Sequence, residues 1–460
     1  MASSRKRRRS ELADRVAAEF ARHVPAGATL TLALSGGVDS VAALDILAGL
    51  ARTHPFALDC LHVNHRISPN AGAWARFARA AARRYGVKCA VRAVDLAPYR
   101  RLGPEAAARA ARYAAFARVR TDFLVLAQHR DDQAETVLLQ LVRGAGVAGL
   151  AGMAAARRTR GPTLLRPLLG ATRAELEQYA RGRGLEWVED ESNADERYAR
   201  NFVRRRVMPR LAELNPAAAA NLARSASHLA EALHLTCALA ALDARDAMRD
   251  GRLSAAALAR LPAARARNLL RWTLAEAGAG APDADRLEEI LRQLVSARTD
   301  AGVRIAFDGV QVRRHRDAIW LVPEQARLPS GFTARWDGRR AWHLPELGGT
   351  LLFKRLTGAG VAARALEGGP VEVRLRAGGE RFQPDRGRPR RTLKALLRES
   401  GLPPWERERL PLLYSAGKLV AVPGIGVAAA AAAAPGERGW AVSWTPRRPG
   451  LPKAAKAMIK

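Results

Sequence analysis

Over the first two hundred residues, short apolar runs alternate with stretches whose apolar positions recur at helical spacing, the order expected of a parallel sheet covered by helices. Residues 29–34 predict a first strand, followed by a glycine-containing turn and a helix over 41–50. Residues 57–63 and 88–94 predict two more strands, separated by a helix over 71–85. A helix from about 104 to 118, a strand over 123–127 and a helix over 132–143 complete the series. The expected fold is α/β with a doubly wound parallel sheet, whose ligand sites lie beyond the carboxyl ends of the strands.

From 215 to 297 the pattern turns helical and rich in Ala, Leu and Arg, without a strand signal, and a β-like stretch over 303–322 closes that region. Residues 329–349, rich in Pro, Gly and Trp, read as a linker, and 350–427 as a compact α+β module. The alanine run 428–434 reads as a short helix without assigned function. The chain thus divides into a basic arm and helix (1–25), the α/β domain (26–214), a mainly helical domain (215–328), the linker (329–349), a small α+β domain (350–445) and a basic tail (446–460).

Composition changes the picture through charge. The chain of 460 residues carries 76 Lys and Arg against 44 Asp and Glu, a formal net charge of +32. Eight of the basic residues are Lys, so Arg dominates, a bias to which a GC-rich coding sequence also contributes. A surplus of this size favours a polyanionic partner, nucleic acid before membrane. No run of 18 or more apolar residues exists to span a bilayer. Cys60, Cys89 and Cys237 are too widely spaced for a metal quartet or a redox pair, and their odd number argues against a disulfide framework, so the cytoplasm is the expected location. The cluster Arg5-Lys6-Arg7-Arg8-Arg9 reads as a disordered arm that adds nonspecific phosphate attraction.

Candidate chemistry begins at Ser35-Gly36-Gly37-Val38-Asp39-Ser40, between a predicted strand and a helix. Two glycines let the backbone approach an anion, the helix N-terminus offers unpaired N–H groups, and Ser35 and Ser40 add hydroxyl donors. It is a phosphate cradle without the Gly-Lys-Ser/Thr ending of a Walker A loop. Asn64 and His65 end a strand at the expected cleft, suited to hydrogen-bonding a nucleotide, with a satisfied loop histidine as the alternative. Glu105, Arg109 and Arg112 share one helix face, either to hold phosphates or as a solvated, ion-paired surface. His129 ends a strand, and Asp132, Glu135 and Thr136 follow on one face of the next helix; a helix-capping role for the two acids is the alternative. Arg200 and the run Arg204-Arg205-Arg206 make the end of this domain basic, suited to RNA phosphates. Arg388, Arg390, Arg391 and Lys394 repeat that theme near the C-terminus, where Trp405 reads as a core anchor.

Ser35–Ser40 resembles the PP-loop of the N-type ATP pyrophosphatases, which cleave ATP to AMP and pyrophosphate while adenylating a substrate oxygen. Within that superfamily the chain is similar to the tRNA(Ile)-lysidine synthetase family. The similarity is carried by His62-Val63-Asn64-His65, by Glu105 through Tyr113, by His129-Arg130-Asp131-Asp132-Gln133-Ala134-Glu135-Thr136, and by Arg166-Pro167-Leu168-Leu169. It continues through Glu189 to Asn193 and Arg200-Asn201-Phe202, and resumes over 371–427. The resemblance implies that lysine is joined to the wobble cytidine of the CAU-anticodon isoleucine tRNA through an adenylated intermediate, with ATP and Mg2+. It implies ATP at Ser35–Ser40, Asp39 near the Mg2+, and L-lysine bound and activated by Asp132 and Glu135, since an amine must lose its proton before it attacks. Asp131 is expected to point elsewhere. His129, Arg109 and Arg112 would support the nucleotide and the charged intermediate, while the helical and C-terminal domains would grip the tRNA. A homodimer stays open. A PP-loop tRNA thiolase is the rival, disfavoured by the spacing of the cysteines, and a non-catalytic tRNA-binding protein is a second, disfavoured by the intact loop.

Overall fold

The computed structural model describes residues 2–446 apart from 160, 299–301, 325–327, 330 and 386. The proposed basic tail from 447 onward lies outside the described residues. In the first half, α1 (Ala2–Ala21), β1 (Thr29–Ala33), α2 (Val38–Leu50), β2 (Ala57–Asn64), α3 (Ala71–Arg83) and β3 (Cys89–Ala93) follow in order. Next come α4 (Pro104–Phe116), β4 (Phe123–Val125), α5 (Arg130–Val142), α6 (Val147–Leu150), β5 (Ala156–Arg157), β6 (Thr163–Leu165) and α7 (Arg173–Gly182). The strands pair in the order β3-β2-β1-β4-β6-β5, parallel except for the edge strand β5. Chain order reverses between β1 and β4, and this switch point is where a doubly wound sheet opens a crevice at its carboxyl edge.

Alternation along the strands feeds two cores. Leu30 and Leu32 join Leu44, Leu47, Leu176 and Phe20 on one face of the sheet, while Leu61, Leu124 and Leu126 pack with Phe116 on the other. Helix α1 belongs to the first core, because Leu12, Val16 and Phe20, spaced at i, i+4 and i+8, are all buried. The expected disordered arm at residues 5–9 is therefore corrected: its backbone is part of a helix that packs on the sheet.

A short helix α8 (Ala199–Phe202), a π-helical turn (Val203–Val207), α9 (Met208–Leu214) and the long α10 (Ala218–Ala247) lead out of this domain. The chain divides into two compact units, Met1–Thr236 and Cys237–Lys460, within α10. In the second unit, β7 (Met248–Arg249) and β8 (Arg252–Ser254) precede α11 (Ala255–Arg260), α12 (Ala263–Glu276) and α13 (Ala284–Ser296). Then β9 (Arg304–Phe307), β10 (Val310–His315) and β11 (Ala318–Pro323) complete a sheet of order β7-β8-β11-β10-β9. The middle region is thus helical with one sheet, and the β7–β8 hairpin lies where no strand was expected.

The remaining strands form a β-rich C-terminal part. Here the expected linker is corrected, because Thr333–Arg335 pairs with Val371–Arg374 and Ala341–Leu344 pairs with Gly349–Thr357. Its tryptophans are half-buried and pack against a core: Trp336 stacks on Phe353 with ring centroids 4.2 Å apart. Trp405 is also an anchor, edge-on to Trp320 at 5.8 Å with Arg313 over its face. Of the alanine run, residues Ala429–Ala431 form one 3-10 turn.

A buried carboxylate ties α2 to α7. Asp45, 2% exposed at its side chain, accepts from Tyr85 (2.8 Å), Tyr179 (2.5 Å) and the Arg183 fork (3.0 Å for both nitrogens). Replacing Asp45 with Ala strands two hydroxyls and is expected to cost about 2–4 kcal/mol in urea unfolding. Arg183→Ala, whose guanidinium is 52% exposed and screened by water, is expected to cost under about 1 kcal/mol. Equal losses would contradict this division.

Candidate active site

The glycine loop after β1 is built by its serines. Gly36 N–H donates to Ser40 Oγ (3.1 Å), Gly37 N–H to Ser35 Oγ (3.3 Å), and the Ser40 hydroxyl to the Gly37 carbonyl (2.9 Å). With the Ser40 proton so used, Ser35 is the donor in the 3.0 Å contact between the two hydroxyls. Both hydroxyls therefore brace the loop, where sequence reading gave them to the anion. The anion-binding groups that remain are the first amides of α2, whose N-cap Gly37 supplies no side-chain bond. Gly36 has φ +97°, and a Cβ there would stand 2.9 Å from Val188 Cγ2. The Val188 N–H donates to the Gly36 carbonyl (3.0 Å), so the chain near 188 forms the outer wall of the loop.

Asp39 stands in the first turn of α2, with Oδ1 buried and without a hydrogen-bond partner. Burial raises its pKa, with Asp132 adding to the rise and His129 opposing it. An orphaned carboxylate oxygen beside a phosphate-facing helix terminus fits a hard cation such as Mg2+.

Across the switch point, His129 caps α5 and is 1% exposed. Its Nε2 lies 3.7 Å from Asp39 Oδ2 and 3.5 Å from Asp132 Oδ2, and its Nδ1 lies 3.5 Å from Asp131 Oδ2. Burial opposes a charge on the ring, but Asp131, Asp132 and Asp39 outweigh it, and the pKa is raised. Asp131 therefore does not point elsewhere as expected: its Oδ2 also accepts from Arg173 N–H (2.9 Å), and its pKa is lowered to about 2. Asp132 Oδ2 accepts from His129 N–H (3.2 Å), so the capping alternative holds for this residue too.

Glu135, 2% exposed, faces the same region one turn further along α5. Arg204 grips it side-on, Nε to Oε1 at 2.6 Å and Nη2 to Oε2 at 3.0 Å, and reaches Asp132 Oδ1 at 3.0 Å. Arg200 Nε lies 3.1 Å from Glu135 Oε2, and its Nη2 donates to Thr136 Oγ1 (2.7 Å). Burial raises the Glu135 pKa in spite of Arg204. Arg200 and Arg204, expected at RNA phosphates, here turn inward onto carboxylates, while Arg205 and Arg206 stay at the surface with Glu196.

The cationic wall is formed by α4. Arg112 reaches solvent, yet the surrounding protein and the like charges of Arg109 and Arg200 depress its pKa, the environment of a side chain lining a concave surface. Arg109 is exposed and lies over the Tyr113 ring at 4.9 Å. His65 sits nearby with its Nδ1 buried and unpartnered; burial and Arg112 lower its pKa. Asn64, expected at the nucleotide, bonds within its own loop, accepting from Arg66 N–H (2.8 Å) and donating to the Ala71 carbonyl (3.3 Å). In the second unit, Arg388, Arg390 and Lys394 are exposed, whereas Arg391 pairs with Glu399. Cys60 and Cys89 are register partners on β2 and β3, a proximity their spacing concealed, but burial pushes both thiols up and away from the reactive thiolate.

A PP-loop domain family matches residues 9–211, a TilS substrate binding domain 253–320 and a TilS substrate C-terminal domain 371–444. The tRNA(Ile)-lysidine synthase of Nitrosomonas europaea is 41% identical over 91% of this chain and 92% of its own length. The chain belongs to the tRNA(Ile)-lysidine synthase family. Other members are equally similar: that of Ralstonia nicotianae is 42% identical over 95% of this chain and 97% of its own, and that of Pseudomonas aeruginosa 42% over 91% and 94%. Among solved structures, a U34-tRNA thiolase from Methanococcus maripaludis aligns with a TM-score of 0.42 and 20% identity over 48% of this chain and 79% of its own. Among the described residues no helix is long and apolar enough to cross a membrane.

Two expectations follow for this lysidine synthase site. Gly36→Ala must push Val188 away and adopt an unfavourable φ, whereas a Cβ at Gly37 meets ordinary contacts of 3.6 Å or more. ATP binding by calorimetry is therefore expected to fall at least tenfold in Gly36→Ala and to change little in Gly37→Ala. The raised His129 pKa makes its ion pairs stabilising below the ordinary value of 6.5, and that stability is lost as pH rises through the higher native value. In His129→Gln the corresponding slope in urea stability above pH 6.5 should vanish; an unchanged slope would show that another group titrates.

Proposed function

We propose that this site ligates L-lysine to carbon-2 of the wobble cytidine in the CAU-anticodon isoleucine tRNA, giving lysidine, AMP and pyrophosphate, so that the tRNA reads AUA codons. The observation that carries the reading is the meeting, at one switch point, of an uncapped helix N-terminus bearing the orphaned Asp39 with the half-buried Asp132 and the buried Glu135. One side suits a triphosphate and the other an ammonium group.

In this reading the first amides of α2 hold ATP phosphates. Asp39 would hold Mg2+, whose charge, when bound, offsets that of the departing pyrophosphate. Arg109 and Arg112 orient the α-phosphate while the cytidine 2-oxo oxygen attacks it. Lysine Nε then attacks carbon-2, and the cytidine oxygen leaves with AMP. Asp132 and Glu135 bind the lysine ammonium, and Glu135, its pKa lifted by burial, takes the proton. His129 lies among three carboxylates and is engaged in the α5 cap, its Nδ1 accepting from Asp132 N–H (3.4 Å). It orients Asp39 and Asp132. The tRNA body is held by the second unit, where Arg388, Arg390 and Lys394 meet phosphates without reading sequence. Arg205 and Arg206 do the same near the site.

Incubation with ATP, labelled lysine and a CAU-anticodon tRNA(Ile) transcript is expected to give lysine-dependent AMP release with label on the tRNA. No label at saturating ATP would reject the reading. Asp39→Asn should abolish pyrophosphate release, whereas Glu135→Gln should leave adenylation and slow lysine transfer on the order of 100-fold. Raising salt should weaken tRNA binding steeply and change turnover at saturating tRNA far less.

A further inference from the structure

The two carboxylates given to lysine already hold a cation. Arg204 makes three contacts of 2.6–3.0 Å with Glu135 and Asp132, and Arg200 covers the second Glu135 oxygen at 3.1 Å. Asp132 Oδ2 is used by its own helix cap. A lysine ammonium group arriving here would have to share these oxygens with Arg204 and meet the charges of two arginines. Being tethered, Arg204 competes at an effective concentration of millimolar or more.

Arg204 also stands on an irregular part of the chain. It belongs to the π-helical turn Val203–Val207, a wider winding that costs hydrogen-bond geometry and holds one residue more than an α-turn. Rewinding that turn to α would rotate its side chains by about 100°. Its neighbours Arg205 and Arg206 face outward, sharing the single acid Glu196, and so present surplus positive charge to a polyanion.

We infer that Arg204 is an internal occupant of the lysine ammonium site, withdrawn when a tRNA phosphate engages the 204–206 run, so that lysine binds only after tRNA. This rests on the assignment of lysine to Asp132 and Glu135. Such an order protects the enzyme from filling its amine site before there is an adenylated base to attack. It also explains why an arginine run at the domain's end sends its first member inward.

Equilibrium dialysis of labelled L-lysine against the full-length protein tests this. The wild type alone should bind lysine at least tenfold more weakly than the wild type with tRNA transcript and a non-hydrolysable ATP analogue. Arg204→Met alone should bind at least tenfold more tightly than the wild type alone, and Arg204→Lys, which keeps a tethered cation, should not. Equal wild-type affinity with and without tRNA overturns the inference, and that comparison stands even if Arg204→Met does not fold. So does a folded Arg204→Met that gains nothing while Glu135→Gln loses tRNA-dependent lysine binding. If Glu135→Gln binds lysine normally, the assignment of lysine to that carboxylate falls, and the inference with it.

Discussion

One buried imidazole holds the site together. Asp39, Asp131 and Asp132 converge on a single ring at 3.5–3.7 Å, and these acids raise its pKa against the burial that opposes a charge. The ring sits between two helices that start from adjacent strands, β1 and β4, nearly a hundred residues apart in the chain. It thereby couples the phosphate-facing helix terminus to the amine-facing one through a side chain that need not touch either substrate. The remaining acid, Glu135, lies beyond the ring's reach and is neutralised by Arg200 and Arg204 instead.

The result is a bipolar crevice. Its floor joins the uncapped N-terminus of α2 to the acids of α5, the latter met by Arg200 and Arg204. Its wall, along α4, carries Arg109 and Arg112, which repel one another and lack the compensation of the floor. An anion is drawn to the wall and the first amides of α2, and a cation to the acids of α5, the separation needed when a phosphate leaving group and an amine nucleophile meet at the same carbon. The resting protein meets the cationic demand of the floor with its own arginines.

Much of this was legible in the chain. The apolar alternation located every strand of the first sheet's parallel core up to β4, and the Ser-Gly-Gly-Val-Asp-Ser turn fell where a doubly wound sheet puts its ligands. Side-chain direction was not legible. Asp131 was expected to face away, yet a helix that begins at 130 leaves it at the N-terminus, where it meets both His129 and the first amide of α7. Arg200 and Arg204 lie four residues apart, the spacing of a shared helix face, but the adjacent Arg205 and Arg206 made the segment look like one solvated run. The supposed linker failed for a different reason: its glycines serve turns between strands, and its tryptophans, an unusual load for a spacer, pack against a core. Asn64 was well placed by sequence, but its amide is needed to close its own loop.

The pairing of Val188 with Gly36 has a consequence for how the protein is made. A chain emerging from the ribosome carries the inner half of the glycine loop after some forty residues, but the wall that shapes it follows about a hundred and fifty residues later, and the arginines that quiet Glu135 later still. Until then the loop lacks its outer wall and Glu135 lacks its two arginines. The nucleotide site therefore cannot be complete until most of its domain has been synthesised, even though its signature sequence is made among the first.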